Sequence, residues 1–345
     1  MARPGDPDLI TAYPPPPSPA RTRPPEREPL RLGLVQERWH ADPREHEARL
    51  SLGIRIAAAE GATIVCLQEL TLSPYFAVTD SGPEGAGAEP EDLESGPTIS
   101  FARRAARGQG VYVHASLYER ADEGPDESGG ARSGEAGGRA GPEPDGLGFN
   151  TAIVVSPDGD LVSRTRKLHI PVTAGYYEDH YFRPGPAGGD AFPLIALPTG
   201  DAQARLGAPT CWDQWFPELA RAYSLEGAEV LIYPTAIGSE PDHPEFDTQP
   251  LWQQVIVGNG IANGTFMVAI NRTGVEDPLT FYGSSFISDP YGRVLVQAPR
   301  DRPAVLVADL DLDQRRDWLE LFPFLTTRRP DAYELLTRAP ASSPG

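Results

Sequence analysis

Short apolar runs alternate along the chain with stretches of helical period, the pattern of strands and helices in turn. Leu30-Arg31-Leu32-Gly33-Leu34-Val35-Gln36 is the first such run and predicts a strand. Asp42-Pro43 then supplies an N-cap and a first-turn proline for a helix to about Glu60, with Leu52, Ile56 and Ala59 on one face and Gly61 closing it. Thr63-Ile64-Val65-Cys66-Leu67 is apolar and β-branched without interruption, as in a strand covered on both faces. A polar loop over 71–95 leads to a helix from Thr98 to Arg107, and Val111 to Tyr118 alternates as a strand with one wetter face. Phe149–Val155 and Leu161–Thr165, joined by Pro157-Asp158-Gly159-Asp160, read as a β-hairpin.

In the second half, Ala204 to Pro209 reads as strand to tight turn, Pro217–Glu226 as a helix and Val230–Pro234 as a buried strand. A helix follows from about Gln249 to Ala262, then strands Phe266–Asn271, Ser284–Ser288, Arg293–Val296 and Ala304–Leu310. The stretch Leu312 to Leu336 reads as an extended arm with short helices, rich in arginine and large apolar side chains, of the kind that packs on a second subunit. Strands and helices alternate with no linker after Leu30, which predicts one α/β domain.

Three segments fall outside that pattern. Residues 1–29 carry ten prolines and few apolar side chains; composition predicts a disordered Pro-rich tail. From Ala121 to Gly148 nearly every residue is small, polar or charged, which predicts a flexible Gly-rich insertion at 121–148. Residues 337–345 read as a disordered C-terminal tail.

Charge narrows the partners. A formal charge of −19 opposes binding to a phosphate backbone or an anionic membrane surface, so neither nucleic acid nor membrane is expected. No apolar run approaches the roughly 18 residues of a spanning helix, and the N-terminus has no signal-peptide pattern. Two cysteines make no disulfide scaffold, which points to a reducing cytoplasm. No metal-ligand spacing is present, and no cofactor is expected.

Chemistry concentrates around Cys211. In Ala208-Pro209-Thr210-Cys211-Trp212-Asp213-Gln214-Trp215-Phe216-Pro217-Glu218 the cysteine lies between a strand and a helix, where a side chain is pushed out of the backbone beside the next N–H, as for a nucleophile with an oxyanion donor. A free cysteine is as often a small apolar filler, and spacing alone leaves both readings open. Cys66 reads as core. Glu69 stands at the carboxyl end of a buried strand, where open α/β sheets place ligands, although many strands simply end in solvated acids. Lys167 and His169 follow the hairpin in Arg166-Lys167-Leu168-His169-Ile170-Pro171, where a solvated lysine and a structural histidine are the ordinary readings. Glu178 sits in an irregular aromatic segment, Gly175-Tyr176-Tyr177-Glu178-Asp179-His180-Tyr181-Phe182, whose burial would raise its pKa.

Taken together, these stretches resemble the nitrilase superfamily of carbon–nitrogen hydrolases. The likeness extends through Leu67-Gln68-Glu69-Leu70 with Pro74-Tyr75-Phe76, Tyr233-Pro234-Thr235-Ala236-Ile237-Gly238-Ser239-Glu240-Pro241, Phe281-Tyr282-Gly283-Ser284-Ser285-Phe286-Ile287 and Arg328-Arg329-Pro330-Asp331-Ala332-Tyr333. It covers about Leu30 to Leu336 apart from the Gly-rich insertion, and so defines a hydrolase domain over 30–336. The resemblance implies a four-layer α-β-β-α sandwich in a homo-oligomer, and a Glu-Lys-Cys triad at Glu69, Lys167 and Cys211 with Glu178 beside it. It implies a small-molecule amide or N-carbamoyl amine as substrate, met by Trp212, Tyr75, Tyr176 and Glu240. Within the family the likeness leans to enzymes acting on carbamoylated diamines, because Ser239-Glu240-Pro241 would place a carboxylate where a protonated amine ends. Carbamoyl amino acids or plain aliphatic amides and nitriles are the alternatives, and a non-catalytic binding role is a further one. Departures lie at Gly207-Ala208-Pro209-Thr210, Val172-Thr173-Ala174 and residues 246–254, all flanking the expected pocket.

Overall fold

The computed structural model describes residues 6–121, 146–188 and 191–338. Its first half contains strands β1 (Asp8–Ala12), β2 (Leu30–Gln36), β3 (Ile64–Cys66), β4 (Tyr112–Glu119), β5 (Phe149–Val155) and β6 (Leu161–Arg166), with helices α1 (Pro43–Ala59), α2 (Gly82–Ala86) and α3 (Pro97–Gln109). The Asp42 carboxylate caps α1 by accepting from the Arg44 N–H, as the Asp-Pro pair predicts. After the two-residue strands β7 (Val172–Thr173) and β8 (Tyr176–Tyr177), the second half contains β9 (Leu194–Thr199), β10 (Ala202–Gly207), α4 (Pro217–Leu225), β11 (Val230–Thr235), α5 (Gln249–Asn263) and β12 (Phe266–Asn271). A hairpin, β13 (Thr273–Glu276) and β14 (Leu279–Tyr282), precedes β15 (Phe286–Ser288), β16 (Val294–Gln297), β17 (Ala304–Leu310) and α6 (Asp313–Leu321).

Two sheets stack face to face. One has the order β1-β17-β2-β3-β4-β5-β6 and the other β16-β15-β12-β11-β10-β9. Leu32, Leu34, Ile64, Cys66 and Val154 from the first meet Leu206, Val230, Ile232, Val268 and Ile287 from the second in the central core. The opposite face of the first sheet packs on α1 and α3 through Val65, Val113 and Val307 against Leu50, Ile54, Ile99 and Phe101. Leu219, Tyr223, Trp252 and Ile256 of α4 and α5 cover the outer face of the second sheet. This is the expected α-β-β-α sandwich. Both faces of the central strands are covered, so β11 and β12 are buried at every residue and read as apolar runs that end in Thr235 and Asn271.

The Pro-rich N-terminal segment differs from expectation over its described residues, 6–29. Strand β1 adds in parallel to the edge of β17, from Asp8 opposite Ala304 to Ala12 opposite Ala308. Beyond it, Arg21 pairs with Asp311 at 2.7 Å and Asp317 at 2.9 Å, and Arg27 pairs with Glu229 at 2.8 Å and Asp313 at 3.1 Å. Prolines here lack backbone donors, yet their carbonyls serve: Gln314 donates to Pro16 O and Arg293 to Pro17 O. Composition misleads because it weighs the segment's own apolar content, whereas the segment is held by an open sheet edge and by acids elsewhere in an acidic chain. The arm over 312–336 forms α6 and two 3₁₀ turns, Pro330–Ala332 and Glu334–Thr337. Residues 122–145 of the predicted insertion and 339–345 of the predicted C-terminal tail lie outside the described residues.

Candidate active site

Every predicted catalytic side chain lies just beyond the carboxyl end of a strand. Glu69 follows β3 and Lys167 follows β6 in one sheet, and Cys211 follows β10 in the other. Both sheets are mixed, but β3 is parallel to β4 and the antiparallel steps to β5 and β6 bring β6 back to the same direction, so the ends bearing Glu69 and Lys167 share one edge of their sheet, the kind of place where α/β sheets hold ligands. Glu178 arrives on a 3₁₀ turn, Glu178–His180, after β8.

The structure brings all four together in the interior. Glu69 and Lys167 are fully buried, and Glu178 and Cys211 nearly so. Lys167 Nζ donates to Glu69 Oε1 at 3.1 Å and to Glu178 Oε2 at 2.6 Å. Asn150 Nδ2 donates to Glu69 Oε1 at 2.7 Å, while Glu69 Oε2 has no partner among the described residues. The carboxylate is thus anchored through one oxygen, and the other is free to accept a proton. The hydroxyl of Tyr75, expected against substrate, donates to Glu178 Oε1 at 2.9 Å and orients that acid.

Cys211 has φ 40°, in the left-handed region that a side chain other than glycine rarely adopts. It opens a 3₁₀ turn, Cys211–Trp215, that leads into α4. Asp213 fixes the turn. Its carboxylate accepts from the Thr210 N–H at 3.2 Å and also from Leu168 N–H at 3.3 Å and His169 N–H at 3.0 Å. His169 Nδ1 completes the set at 2.7 Å from Asp213 Oδ1, with its ring stacked on Phe216 at 3.6 Å. One buried carboxylate therefore ties the lysine segment to the cysteine turn. His169 is structural, as its ordinary reading suggests.

Electrostatics set the resting protonation. Burial pushes the Cys211 thiol well above its usual pKa, the Glu69 carboxylate raises it further, and Lys167 with the Ala236 N–H only partly offsets this. The sulfur rests as a neutral thiol and needs a base when it attacks. Burial alone would favour neutral Lys167, but Glu178 and Glu69 outweigh it and hold the ammonium charged. Burial raises Glu178 to about 7, despite Lys167 beside it. A neutral thiol, a carboxylate with one free oxygen and a fixed cation are the parts that acyl transfer through sulfur requires.

Farther from the sulfur, the Tyr176 hydroxyl accepts from the Gly238 N–H at 3.2 Å. Glu240 is half-buried and accepts from Thr248 Oγ1 at 3.1 Å. Burial raises the Tyr176 and Tyr282 hydroxyls, and the charge of Glu240 adds to the rise at both. Trp212 is half-buried with its ring 6.3 Å from Trp215. A cavity of about 270 Å³ opens here between Gly238, Ser239, Phe246, Thr248, Tyr282 and Arg300. Among the described residues no cluster of His, Cys, Asp or Glu has the arrangement of a metal site.

Sequence reasoning missed Asn150 and the role of Asp213. Asn150 belongs to an unremarkable strand, and only its register, opposite Tyr118 on β4, turns it toward Glu69. Asp213 stands three residues after Thr210, and that spacing is the one sequence cue to a capping turn.

Comparison with known proteins agrees with this fold. The sequence profile of the carbon-nitrogen hydrolase family matches residues 31–320. The chain is similar to an N-carbamoylputrescine amidase of Arabidopsis thaliana, 35% identical over 82% of this chain and 87% of the relative. It is also similar to a citrullinase of Francisella tularensis, 33% identical over 90% of this chain and 98% of the relative. Among solved structures, a carbon-nitrogen hydrolase from Helicobacter pylori G27 superposes with a TM-score of 0.71 at 30% identity, over 90% of this chain and 99% of that one.

Proposed function

The chain belongs to the carbon–nitrogen hydrolase family and is an enzyme of that class, and on this premise we propose that it hydrolyses N-carbamoylputrescine to putrescine, carbon dioxide and ammonia. The observation that carries the reaction is the buried group of Glu69, Lys167, Glu178 and Cys211. Glu69 takes the thiol proton as Cys211 Sγ attacks the carbamoyl carbon. Lys167 and the Trp212 N–H hold the developing oxyanion. The proton passes from Glu69 to the departing nitrogen, leaving a thioester-type adduct on sulfur. A water molecule, deprotonated by Glu69 and oriented by Glu178, then attacks the adduct and frees the thiol. One water is consumed overall for each carbamoyl group split.

The amine end is assigned to Glu240, with Tyr176 along the way. A half-buried carboxylate attracts an alkylammonium and repels a substrate carboxylate, which favours a diamine over a carbamoyl amino acid. The relative named N-carbamoylputrescine amidase supports this choice. We also assign the enzyme to the cytoplasm, where a working thiol stays reduced, and to a homo-oligomer. Leu321, Phe322, Leu335 and Leu336 in the C-terminal arm are all about half exposed or more, which suits burial against a second copy.

Ammonia release tests the reading, with N-carbamoylputrescine, N-carbamoyl-β-alanine and L-citrulline assayed in parallel and Cys211→Ala as blank. Turnover of the first in clear preference is expected. Preference for either amino acid would remove Glu240 from its role.

A further inference from the structure

The base and the thiol stand on different sheets, so something must set one sheet against the other to within hydrogen-bonding tolerance. We propose that the dipeptide Asn271-Arg272, at the end of β12, is this positioning element. The idea rests on the reading of Glu69 and Cys211 given above.

Neighbouring residues at a strand end project to opposite sides, and each of these two grips one half of the site. Asn271 Nδ2 donates to Ile237 O at 2.8 Å and to Gly283 O at 3.0 Å, and its Oδ1 accepts from the Ile237 N–H at 3.1 Å. That fixes the loop after β11, whose Ala236 N–H is directed at the Cys211 sulfur. Arg272 reaches across to the other sheet. Its Nη2 donates to Glu69 O at 2.7 Å, Leu70 O at 3.2 Å and Ser73 O at 3.3 Å. The turn it holds is strained, since Leu70 has φ 47°.

Arg272 is itself anchored, its Nη1 donating to Glu276 Oε1 at 2.8 Å and Oε2 at 2.9 Å. Glu276 Oε2 also accepts the Tyr75 N–H at 2.7 Å, and the Tyr75 hydroxyl orients Glu178. Glu69 and Glu178 are thereby referred to one fully buried guanidinium. A planar fork can serve three carbonyls and a carboxylate together, and an ammonium cannot.

Arg272→Lys keeps the charge and removes the fork. Because displacement of a reacting group by about 1 Å costs on the order of 10²-fold, kcat should fall by that factor with KM nearly unchanged. Alkylation of Cys211 by iodoacetamide should slow in parallel. In a Glu69→Gln background the same change should cost less than about twofold more, because its route of action is already gone. Glu276→Gln should repeat the pattern with a smaller loss, and serves if Arg272→Lys does not fold. The proposal is overturned if the losses multiply in the Glu69→Gln background, or if Arg272→Lys lowers Tm while kcat and alkylation stay at wild-type values. Alkylation needs no substrate, so a non-additive cycle in an enzyme that releases no ammonia would sustain the clamp and discard the assigned substrate.

Discussion

The reacting cluster at one end and the cavity lined by Ser239, Thr248 and Arg300 at the other are built differently. At the reacting end, Glu69, Lys167, Glu178 and Cys211 are buried and joined through Asn150, Tyr75 and Asp213 by hydrogen bonds of 2.6 to 3.3 Å. At the far end, residues 242–247 are exposed, and Arg300 and Asp247, each half exposed, pair at 2.8 Å. A buried polar network is held to one geometry because each unpaired group costs free energy. An exposed loop is under no such demand and can vary with the substrate. The difference teaches that reaction class and substrate preference are written in separate parts of this molecule and should respond separately to mutation.

The largest effect belongs to the reacting end. Asp213→Asn removes the charge that gathers the Thr210, Leu168 and His169 N–H groups. It should reduce kcat by roughly 10²-fold with little change in KM, since the nucleophile turn and the Lys167 segment then drift apart. A steady-state assay showing only raised KM would place Asp213 on the binding side of the comparison.

The pH dependence comes next. Glu178 has its carboxyl raised to about 7, so it is protonated below that pH and ionised above it. Its role in orienting water needs the ionised form, and kcat should therefore fall as pH drops through about 7, by roughly tenfold for each further unit. Glu178→Gln should lower kcat and flatten that limb. An unchanged limb would assign it to another group.

The smallest effect is expected at the far end. Glu240→Gln should raise KM for an amine-ended substrate by roughly tenfold and leave kcat near wild type, the signature of lost uniform binding. A neutral carbamoyl compound of the same length should show no change. Equal losses on both would dissolve the distinction between the two ends.

The same division governs how much the sequence reveals. The sandwich was legible because β11 and β12 are apolar up to their last residues, Thr235 and Asn271, and α1 carries its cap in sequence; its buried face was not, since the helix packs through Leu50, Ile54 and Ala57 while Leu52 and Ile56 are only half-buried and Ala59 is exposed. Glu69, Lys167, Glu178 and Cys211 were legible through several ordered motifs, and their convergence follows from the shared strand edge. Strands β1, β9 and the β13-β14 hairpin were not. Strand β1 is short and flanked by prolines, and its stability comes from the β17 edge, which lies far away in sequence. Asn271 and Arg272 carry no local signal, since an asparagine and an arginine after an apolar strand ordinarily face solvent, and only the stacking of the sheets buries them. The hydrogen bond from Tyr75 to Glu178 carries no signal in the sequence, because the two residues lie 103 positions apart.

The central claim is that a neutral, buried thiol depends on Glu69 for the removal of its proton. The rate of Cys211 alkylation by iodoacetamide at neutral pH, wild type against Glu69→Gln, tests this most directly, with Cys66 as the internal control. The account predicts a fall on the order of 10² in the variant, in the range of general-base contributions, and no labelling of the fully buried Cys66 in either protein. Equal rates in the two proteins would mean that the thiol is activated without Glu69, and would contradict the account.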